Sequence, residues 1–474
     1  MFYGGNRYLA DNKVKSLVGG FQGINREDGL AESTVLVVSA SGLARIDAAR
    51  WELSEKAQAM GQFQERHDRH GLTTGIDLIN YGDVRTYQQH CDDNDGLWTS
   101  MHAMGETYRY LSTGEEEARS LAWRAFEALE TLAILPGDYP HFPARSFAPV
   151  SEASWPGCNG DPWKVSPVDK NYVWKSTTSS DEIDGHLAAF PLIYDHIART
   201  PEEKERVYAL IEGITGGILD NDLYLIDPST GEPTIWGFWN PELVNDDPEH
   251  YSERGTNSVG ILAYTASAYS ITRDEKYKKT FWDLAINYDY LIAALNGKID
   301  SPAEDNHSDN ELFFQAYHIA LYALQRLKGQ EGSELYADVE KMVNALLPSM
   351  ERTYALINGE MSPLWLGIYA GTGGQQVSDA AISSAVWTLR HWAVDLIEWP
   401  ISNDERWDIT ESPFFVRDST VPLMRQIRPP SERASRKWNT DPFTLGDQDS
   451  GMSEEYPANW RFPYYLMRFN KLIE

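Results

Sequence analysis

Most of this chain is a succession of amphipathic helical segments. From Trp51 onward apolar residues recur at helical spacing, between Gly, Pro and acidic residues that mark helix ends. This spacing predicts helices at about 52–70, 97–112, 115–134, 182–199, 202–219, 256–271, 275–294, 309–327, 334–355, 378–398 and 461–472. Paired helices with short links are typical of a closed (α/α) toroid or an open solenoid. The irregular period and the long loops favour the toroid, in which the ends of the inner helices carry the site.

Two local patterns support repeated helix pairs. Sequences typical of capping boxes, a Ser or Thr followed three residues later by Glu, recur along the chain. They are Thr113–Glu116, Ser179–Glu182, Thr200–Glu203, Thr272–Glu275 and Ser308–Glu311. The chain also echoes itself, because Tyr110-Leu-Ser-Thr113 with Trp123 matches Tyr269-Ser-Ile-Thr272 with Trp282, each Trp ten residues after the Thr.

The first fifty residues have a different composition. The run STVLVVSASGLARID is rich in β-branched residues and predicts a hairpin that turns at Ser41-Gly42. We therefore expect a mainly α protein, with a β-rich N-terminal appendage at 1–50 and an (α/α)6-type toroid at 51–474. Two Pro-, Trp- and Gly-rich loops, 136–178 and 400–457, are long enough to suggest a functional role.

Charge and composition exclude several classes. The chain of 474 residues carries a formal net charge of -30, which argues against binding to nucleic acid. It has no apolar run of about 18 residues, so we expect no membrane span. Its first residues lack the pattern of a signal peptide. We expect a soluble cytoplasmic or periplasmic protein, either a monomer or a homo-oligomer, with no cofactor or metal. Cys91 and Cys158 are too few for a disulfide framework or a CxxC metal site.

Aromatic residues and four polar segments suggest chemistry on sugars. The 16 Trp, 25 Tyr and 16 Phe are typical of clefts that stack on sugar rings, although core packing explains most single aromatics. The first polar segment, 90–98, contains Asp95 just before a helix, as a helix cap, as a ligand for hydroxyl groups or as part of a calcium-like oxygen site. The second, 178–186, contains Asp181, Glu182, Asp184 and His186. Glu182 and His186 share a helix face, so a carboxylate can orient the imidazole.

The third and fourth segments also lie at helix starts. In 253–257, Arg254 and Asn257 are suited to hold a carboxylate, with Trp239 upstream as a stacking wall; a structural ion pair is the alternative. The fourth segment, 305–311, contains His307, Asp309 and Glu311, of which Glu311 also fits a cap. The last predicted helix adds aromatic side chains that can pack, contact a sugar or donate a proton, namely Trp460, Tyr464 and Tyr465.

Several common catalytic motifs are missing from the sequence. It contains neither GxGxxG nor GxxxxGK[ST], no GxSxG and no HExxH. These absences argue against a nucleotide-dependent enzyme, a serine hydrolase and a zinc protease. Polar clusters at helix starts with Trp and Tyr between them fit a carbohydrate-active toroid better.

The same segments resemble a known family. The strings are DNDGLWTSM, TSSDEIDGH, WGFWNPE, ERGTNS, NHSDNEL, KWNTDPF and PYYLMRF. They resemble a bacterial (α/α) toroid group similar to the polysaccharide lyases that release the rhamnose capping glucuronate in arabinogalactan, and to the ulvan oligosaccharide dehydratases. The resemblance extends over roughly the whole chain.

The resemblance implies β-elimination from a uronic acid. Arg254 with Asn257 would then neutralise the sugar carboxylate, His186 or His307 would take the C5 proton, and Tyr464 or Tyr465 would protonate the departing oxygen. The remaining polar and aromatic candidates would bind the oligosaccharide, namely Asp95, Asp181, Glu182, Asp184, Trp239, Asp309, Glu311 and Trp460. A departing sugar makes the enzyme a lyase, and departing water makes it a dehydratase.

Three other interpretations stay open. A glycoside hydrolase on the same toroid, such as a glucuronyl hydrolase, would use two carboxylates, for instance Asp95 and Asp184. A sugar epimerase would use His186 and His307 on opposite faces of the sugar. A sugar-binding protein without catalysis would tolerate the loss of both histidines.

Overall fold

The computed structural model describes most of the chain. The described residues are 5, 7–10, 13–22, 33–48, 51–300, 308–371, 377–403, 406–412, 424–433, 436, 438–446 and 449–474. His307, one of the two candidate bases, lies outside them.

The protein is mainly helical, as the sequence predicts. The helices are α1 (Leu53–His67), α2 (Asp95–Thr113), α3 (Glu116–Ile134), α4 (Ser180–Leu192), α5 (Pro201–Asp220), α6 (Arg254–Thr272), α7 (Glu275–Asn287), α8 (Tyr290–Asp300), α9 (Ser308–Gln325), α10 (Glu334–Ile357), α11 (Pro363–Ala370), α12 (Asp379–His391) and α13 (Ala458–Phe469). A turn of π-helix, Ile193–Ile197, continues α4.

Three helix predictions differ clearly from the structure: one helix is divided, one was missed, and the helix predicted at 378–398 ends at His391. The segment predicted as one helix at 275–294 is two, because α7 ends at Asn287 and Asp289 adopts a positive φ of 59° before α8 begins. Helix α11 was not predicted at all. Its sequence PLWLGIYA is apolar on every side and is buried, so it has no polar face to give a helical period.

Short strands accompany the helices. They are β1 (Val14–Gln22), β2 (Ser33–Ser39), β3 (Leu43–Ala48), β4 (Asp68–Arg69), β5 (Leu72–Thr73), β6 (Ile76–Leu78), β7 (Tyr87–Gln89), β8 (Ser146–Pro149), β9 (Trp163–Val165), β10 (Tyr172–Lys175), β11 (Tyr224–Asp227), β12 (Glu232–Phe238) and β13 (Ser453–Glu454). The sheets have the orders β1-β2-β3, β8-β10-β9, β13-β6-β7, β11-β12 and β4-β5. The predicted N-terminal hairpin is confirmed, since Val38 pairs with Leu43 across the turn.

Helix contacts run in a closed circuit. Helix α2 packs on α4, α4 on α6 and α9, α6 on α9, α9 on α11, α11 on α13, and α13 returns to α2. Helices α2 and α4 approach closely with matching ends, because a Cβ on Gly185 would lie 3.0 Å from Leu97 Cα. The N-terminal ends of these two helices therefore lie side by side. Apolar side chains of these helices form one continuous buried core.

The internal echo corresponds to equivalent helix pairs. Thr113 and Thr272 are the last residues of α2 and α6, and each is followed by a residue with positive φ, Gly114 at 73° and Arg273 at 61°. The next helix then carries the matching Trp. The repeated pattern thus marks helix ends, which is why the capping boxes predicted to start at these threonines are wrong.

Of the other three predicted capping boxes, one forms and two do not. Thr200 and Glu203 form the reciprocal capping box on α5 that the sequence predicts. Ser179 does precede α4, but its hydroxyl donates to Asp181 Oδ2 (2.7 Å) instead of capping the helix backbone. Ser308 is itself the first residue of α9. The four-residue spacing of a capping box is therefore a weak guide unless the helix start is fixed independently, as Pro201 fixes it on α5.

The two cysteines form a disulfide bond. Cys91 and Cys158 are 67 residues apart in sequence and both are buried. The bond ties the segment that precedes α2 to the loop 136–178. Two cysteines exclude a framework of several bonds, and the sequence analysis did not foresee this single one. Separately, none of the helices within the described ranges is long and apolar enough to cross a membrane.

Candidate functional site

Six acidic residues gather where α4, α6 and α9 begin. Helix α4 contributes three of them, the residue just before α6 contributes one, and the first turn of α9 contributes two. We call them the carboxyl cluster; its members are Asp181, Glu182, Asp184, Glu253, Asp309 and Glu311. Asp181 is the central member, because its charge raises the pKa of each of the other five, in addition to the larger effect of burial.

Glu182 is the most enclosed member of the cluster. Its carboxyl group lies against the backbone of α2 at Gly96, where an added Cβ would come within 2.0 Å of Glu182 Oε2. Neither carboxyl oxygen has a hydrogen-bond partner of good geometry among the described residues, although the N–H of Leu97 lies nearby. Burial raises the pKa of Glu182 well above its usual range. Burial therefore favours the protonated, neutral form of this group.

His186 lies one helical turn after Glu182, as the spacing predicts. Its Nδ1 donates to the main-chain oxygen of Glu182 (2.7 Å), so Nε2 carries no proton and is buried without a partner in the described part of the chain. Burial lowers the pKa of His186 to about 4. The imidazole is neutral at pH 7, and a backbone carbonyl fixes its tautomer instead of the predicted carboxylate.

Asp184 faces away from Glu182, toward α6. Tyr264 donates to Asp184 Oδ1 (2.6 Å), and burial raises the pKa of Asp184 well above its usual range. The Trp239 ring meets the Tyr264 ring edge-on, with 5.7 Å between the ring centroids. Trp239 is fully buried, so it packs behind the carboxyl cluster instead of offering the open stacking wall that the sequence suggested.

The α9 side of the cluster contains the remaining acids. Burial, followed by the charge of Glu253, raises the pKa of Asp309 to about 7, while the charge of Lys298 opposes the shift. Burial and the charge of Asp181 raise the pKa of Glu311 to about 8. Asn257 is buried in the first turn of α6. This side therefore holds two carboxyl groups that change protonation near neutral pH.

Asp95 is committed to a structural ion pair. Arg69 Nη2 donates to Asp95 Oδ2 (3.0 Å), and Ser146 Oγ donates to the same oxygen. Arg69 also donates to the main-chain oxygen of Phe147 (2.6 Å). Asp95 is buried and its pKa rises, through burial, to about 6. Its carboxylate holds α2 against the loop 136–178, which leaves no free oxygen directed at the cluster.

Four predicted site residues lie elsewhere. Arg254 lines a separate cavity of about 570 Å³ with residues of the α7–α8 junction. Trp460 Nε1 donates to the main-chain oxygen of Leu389 on α12 (3.0 Å), and the Tyr464 ring stacks on Trp460 with 4.9 Å between centroids. Tyr465 lies beside Arg461 on the α2 side of α13. Trp460, Tyr464 and Tyr465 pack α13 against its neighbours, and neither they nor Arg254 line the carboxyl cluster.

Sequence reasoning missed the cation beside the cluster. Arg145 Nη2 donates to Ser179 Oγ (3.0 Å) and to Asn94 Oδ1 (2.7 Å), and its charge lowers the pKa of Glu182 against the larger effect of burial. Arg145 is partly exposed. The only available signal was its place in the loop 136–178, which the composition marks as functional. Lys298, Tyr264 and Glu253 were also missed as individual residues.

The cluster has the properties of an acid–base site. Glu182 is a neutral proton donor, Asp181 is more exposed, and Arg145 supplies a positive charge between α2 and α4. Buried carboxyl groups with separated pKa values are the arrangement that enzymes use to run acid and base steps together. Within the described ranges, no group of His, Cys, Asp or Glu side chains is arranged to hold a metal ion.

Comparison with protein families and curated proteins found no match.

Proposed function

We propose that this protein is a carbohydrate-active enzyme that breaks a carbon–oxygen bond in a uronate-containing oligosaccharide by β-elimination. The observation that carries the proposal is the neutral acid Glu182 beside the more exposed Asp181 and the cation Arg145. The closed circuit of helix contacts supports an (α/α)6 toroid, with the cluster at the end where α2 and α4 begin. The sequence resemblance to uronate lyases and dehydratases supports the same reaction.

Each step of the elimination has a suitable group in the cluster. Arg145 binds the sugar carboxylate and makes the C5 proton more acidic. Asp181 takes that proton, the C4–O bond breaks as the C4–C5 double bond forms, and Glu182 gives its proton to the departing oxygen. General acid–base steps of this kind contribute about 10²–10⁴-fold each. The neutral form of Glu182 matters, because an ionised carboxylate would repel both the substrate and the developing negative charge.

These roles differ from those that the resemblance implied. Arg145 takes the place of Arg254, whose side chain lines another cavity. Glu182 takes the place of the two tyrosines on α13. His186, neutral and fully buried beside Glu182, acts as a positioning residue in this proposal.

Hydrolysis of a glycosidic bond is the second candidate. Glycoside hydrolases pair one protonated carboxyl group with one ionised carboxylate, and the raised pKa of Glu182 suits it to the first of these roles. The pair named from the sequence, Asp95 and Asp184, is engaged by Arg69 and Tyr264. Hydrolysis needs no cation to make a C5 proton more acidic, so loss of Arg145 should reduce kcat more in an elimination than in a hydrolysis.

The decisive experiment is an incubation with glucuronate–rhamnose oligosaccharides from ulvan and arabinogalactan, followed by near-ultraviolet absorbance and mass spectrometry. A new conjugated double bond with loss of one water from an intact oligosaccharide identifies a dehydratase, and one with a released sugar identifies a lyase. Cleavage without absorbance identifies a hydrolase. If none of these oligosaccharides reacts, the proposal is contradicted.

Variants connect the reaction to the cluster. Glu182→Gln removes the proton donor and should abolish turnover, whereas the matched control Glu202→Gln, on the exposed first turn of α5, should not. Arg145→Gln should raise KM sharply for a uronate substrate. An unchanged KM in that variant, with turnover intact, would favour hydrolysis over elimination.

A further inference from the structure

The cavity beside Arg254 is separate from the carboxyl cluster. It has a volume of about 570 Å³, which falls within the range of small-molecule sites. We call it the Arg254 pocket. The start of α6, the turn after β12 and the α7–α8 junction line it, through Asn240, Pro241, Glu242, Asn245, Asp246, Arg254, Asn287, Tyr288 and Asp289.

Arg254 has no protein partner in the described part of the chain. No hydrogen bond or ion pair joins its guanidinium to a described residue, and its Nε is buried without an acceptor. The acidic side chains of Glu242, Asp246 and Asp289 line the same pocket without pairing with it. A partly buried guanidinium that is left without an acceptor carries an unmet desolvation cost, which a ligand carboxylate would relieve.

Asn245 provides a hydrogen-bond acceptor without a donor, whereas Arg254 provides a donor without an acceptor. Its Nδ2 donates to the main-chain oxygen of Tyr288 (2.8 Å), which fixes the orientation of the amide. Its Oδ1 is buried and has no donor among the described residues. The pocket therefore contains one unmet donor, Arg254 Nε, and one unmet acceptor, Asn245 Oδ1.

The charges of the residues that line the Arg254 pocket indicate which class of ligand it can bind. A bare anion such as phosphate would satisfy Arg254 but would be repelled by three carboxylates and by the overall charge of -30. A polyamine would suit the carboxylates but would be repelled by Arg254. A molecule with one carboxylate and several hydroxyl groups satisfies both sides.

We propose that the Arg254 pocket binds a sugar acid. The sugar carboxylate accepts hydrogen bonds from the guanidinium of Arg254. The sugar hydroxyl groups donate to Asn245 Oδ1 and to the surrounding carboxylates. None of the carboxyl-cluster residues lines this pocket, so it is a second sugar-acid site beside the start of α6. The choice of glucuronate as the sugar acid rests on the proposed function; the donor and acceptor argument does not.

The test is a calorimetric titration of the whole protein with glucuronate. Arg254→Gln should weaken one binding event by about tenfold or more, because it removes a charged hydrogen-bond donor. Arg352→Gln, an exposed arginine on α10, is the matched control and should leave the titration unchanged. Thermal melting of both variants shows that they fold, and Asn245→Leu gives a second, independent weakening.

The ligand class is tested by the same titration with other probes. Glucose, which lacks the carboxylate, should bind wild type no more tightly than glucuronate binds Arg254→Gln. The proposal is overturned if Arg254→Gln binds glucuronate like wild type, if glucose matches glucuronate, or if glycine, which carries an ammonium group in place of hydroxyls, binds more tightly than glucuronate.

Failure here and failure of the proposed function give different results. Glucuronate binding at the cluster depends on Arg145, so Arg145→Gln removes that event and leaves the Arg254 pocket intact. If the Arg254-dependent event is present but no oligosaccharide is turned over, the pocket stands and the proposed reaction does not. If turnover depends on Glu182 and Arg254→Gln changes no binding, the reaction stands and the pocket proposal is wrong.

Discussion

The acidic side chains at the two ends of α4 have opposite surroundings: Glu182 is buried without a good partner, and Asp195 is partly buried and paired. At the start of the helix Glu182 has no good hydrogen-bond partner among the described residues and is neutral. Just past its end, Asp195 accepts from Arg326 Nε (2.9 Å) and Nη2 (2.8 Å) and from the hydroxyl of Tyr322 (2.9 Å). A paired acid adds to the stability of the fold, whereas an unpaired buried acid lowers it, and such perturbed groups cluster at functional sites.

The helix dipole does not explain this difference. A helix start favours a negative charge by about 0.3–1 kcal/mol, which would lower the pKa of Glu182. The observed direction is upward, so loss of hydration in the buried site outweighs the dipole and the nearby charge of Arg145. The contrast between the two ends of α4 therefore comes from the partners that the tertiary structure supplies.

The largest expected effect follows removal of the unpaired acid. Glu182→Gln should reduce kcat/KM by about 10²–10⁴-fold, because it removes the general acid. The free energy of unfolding should stay the same or rise, since an unpaired buried acid is lost. Steady-state kinetics and urea unfolding measure the two effects. Activity within about tenfold of wild type would remove Glu182 from the mechanism.

The opposite result is expected at the paired end. Asp195→Ala leaves the partly buried Arg326 without its partner and should cost about 2–4 kcal/mol of unfolding free energy, somewhat less than for a fully buried pair. Turnover per folded molecule should change little. The matched control is Asp283→Ala on the exposed face of α7, expected to stay within about 0.5 kcal/mol in urea unfolding. Equal losses in both variants would contradict the comparison.

A smaller effect is expected from crowding Glu182 without removing it. Gly96→Ala places a Cβ 2.0 Å from the present position of Glu182 Oε2, so the carboxyl group must move. We expect a loss of about 1–3 kcal/mol in stability together with reduced kcat. Gly332→Ala has no heavy atom within 4 Å of its added Cβ and serves as the control. Normal kcat in Gly96→Ala would mean that the position of Glu182 is not critical.

The last expected effect concerns the pH dependence of stability. Burial and Asp181 raise the pKa of Glu311 to about 8, so the folded protein holds this proton while the unfolded chain, with an ordinary pKa, releases it. Stability should therefore fall as pH rises from about 4.5 toward 8. Glu311→Gln should flatten this fall, because glutamine has no proton to release between pH 4.5 and 8. Urea unfolding across this pH range measures it; an unchanged slope would contradict the raised pKa.

Local patterns predicted much of the helical fold. The positions of α2, α3, α5, α9 and α10 agree with the sequence spacing to within a few residues, because apolar period and turn residues act within one or two turns. Helix α11 escaped prediction because it is buried on all sides. The acidic segments at the starts of α4 and α9 were also identified from the sequence, since their residues crowd a single helical turn.

The roles of these residues depend on distant parts of the chain. In the sequence, Asp95 and Glu182 are both acidic residues at helix starts. In the structure, Asp95 is paired with Arg69, which lies 26 residues away in the chain. Asp184 meets Tyr264 from 80 residues away, and Arg145 meets Ser179 from 34. Spacing along one helix carries no information about such partners.

The sequence by itself determined the mainly helical class, the N-terminal hairpin and the placing of acidic residues at helix starts, because each follows from interactions between near neighbours in the chain. Only the tertiary structure decided which acid is paired, which is neutral, that Arg145 lies beside Glu182, and that Arg254 lines another cavity. Protonation and pairing depend on burial and on charges brought together from distant segments, and those quantities exist only once the helices have packed.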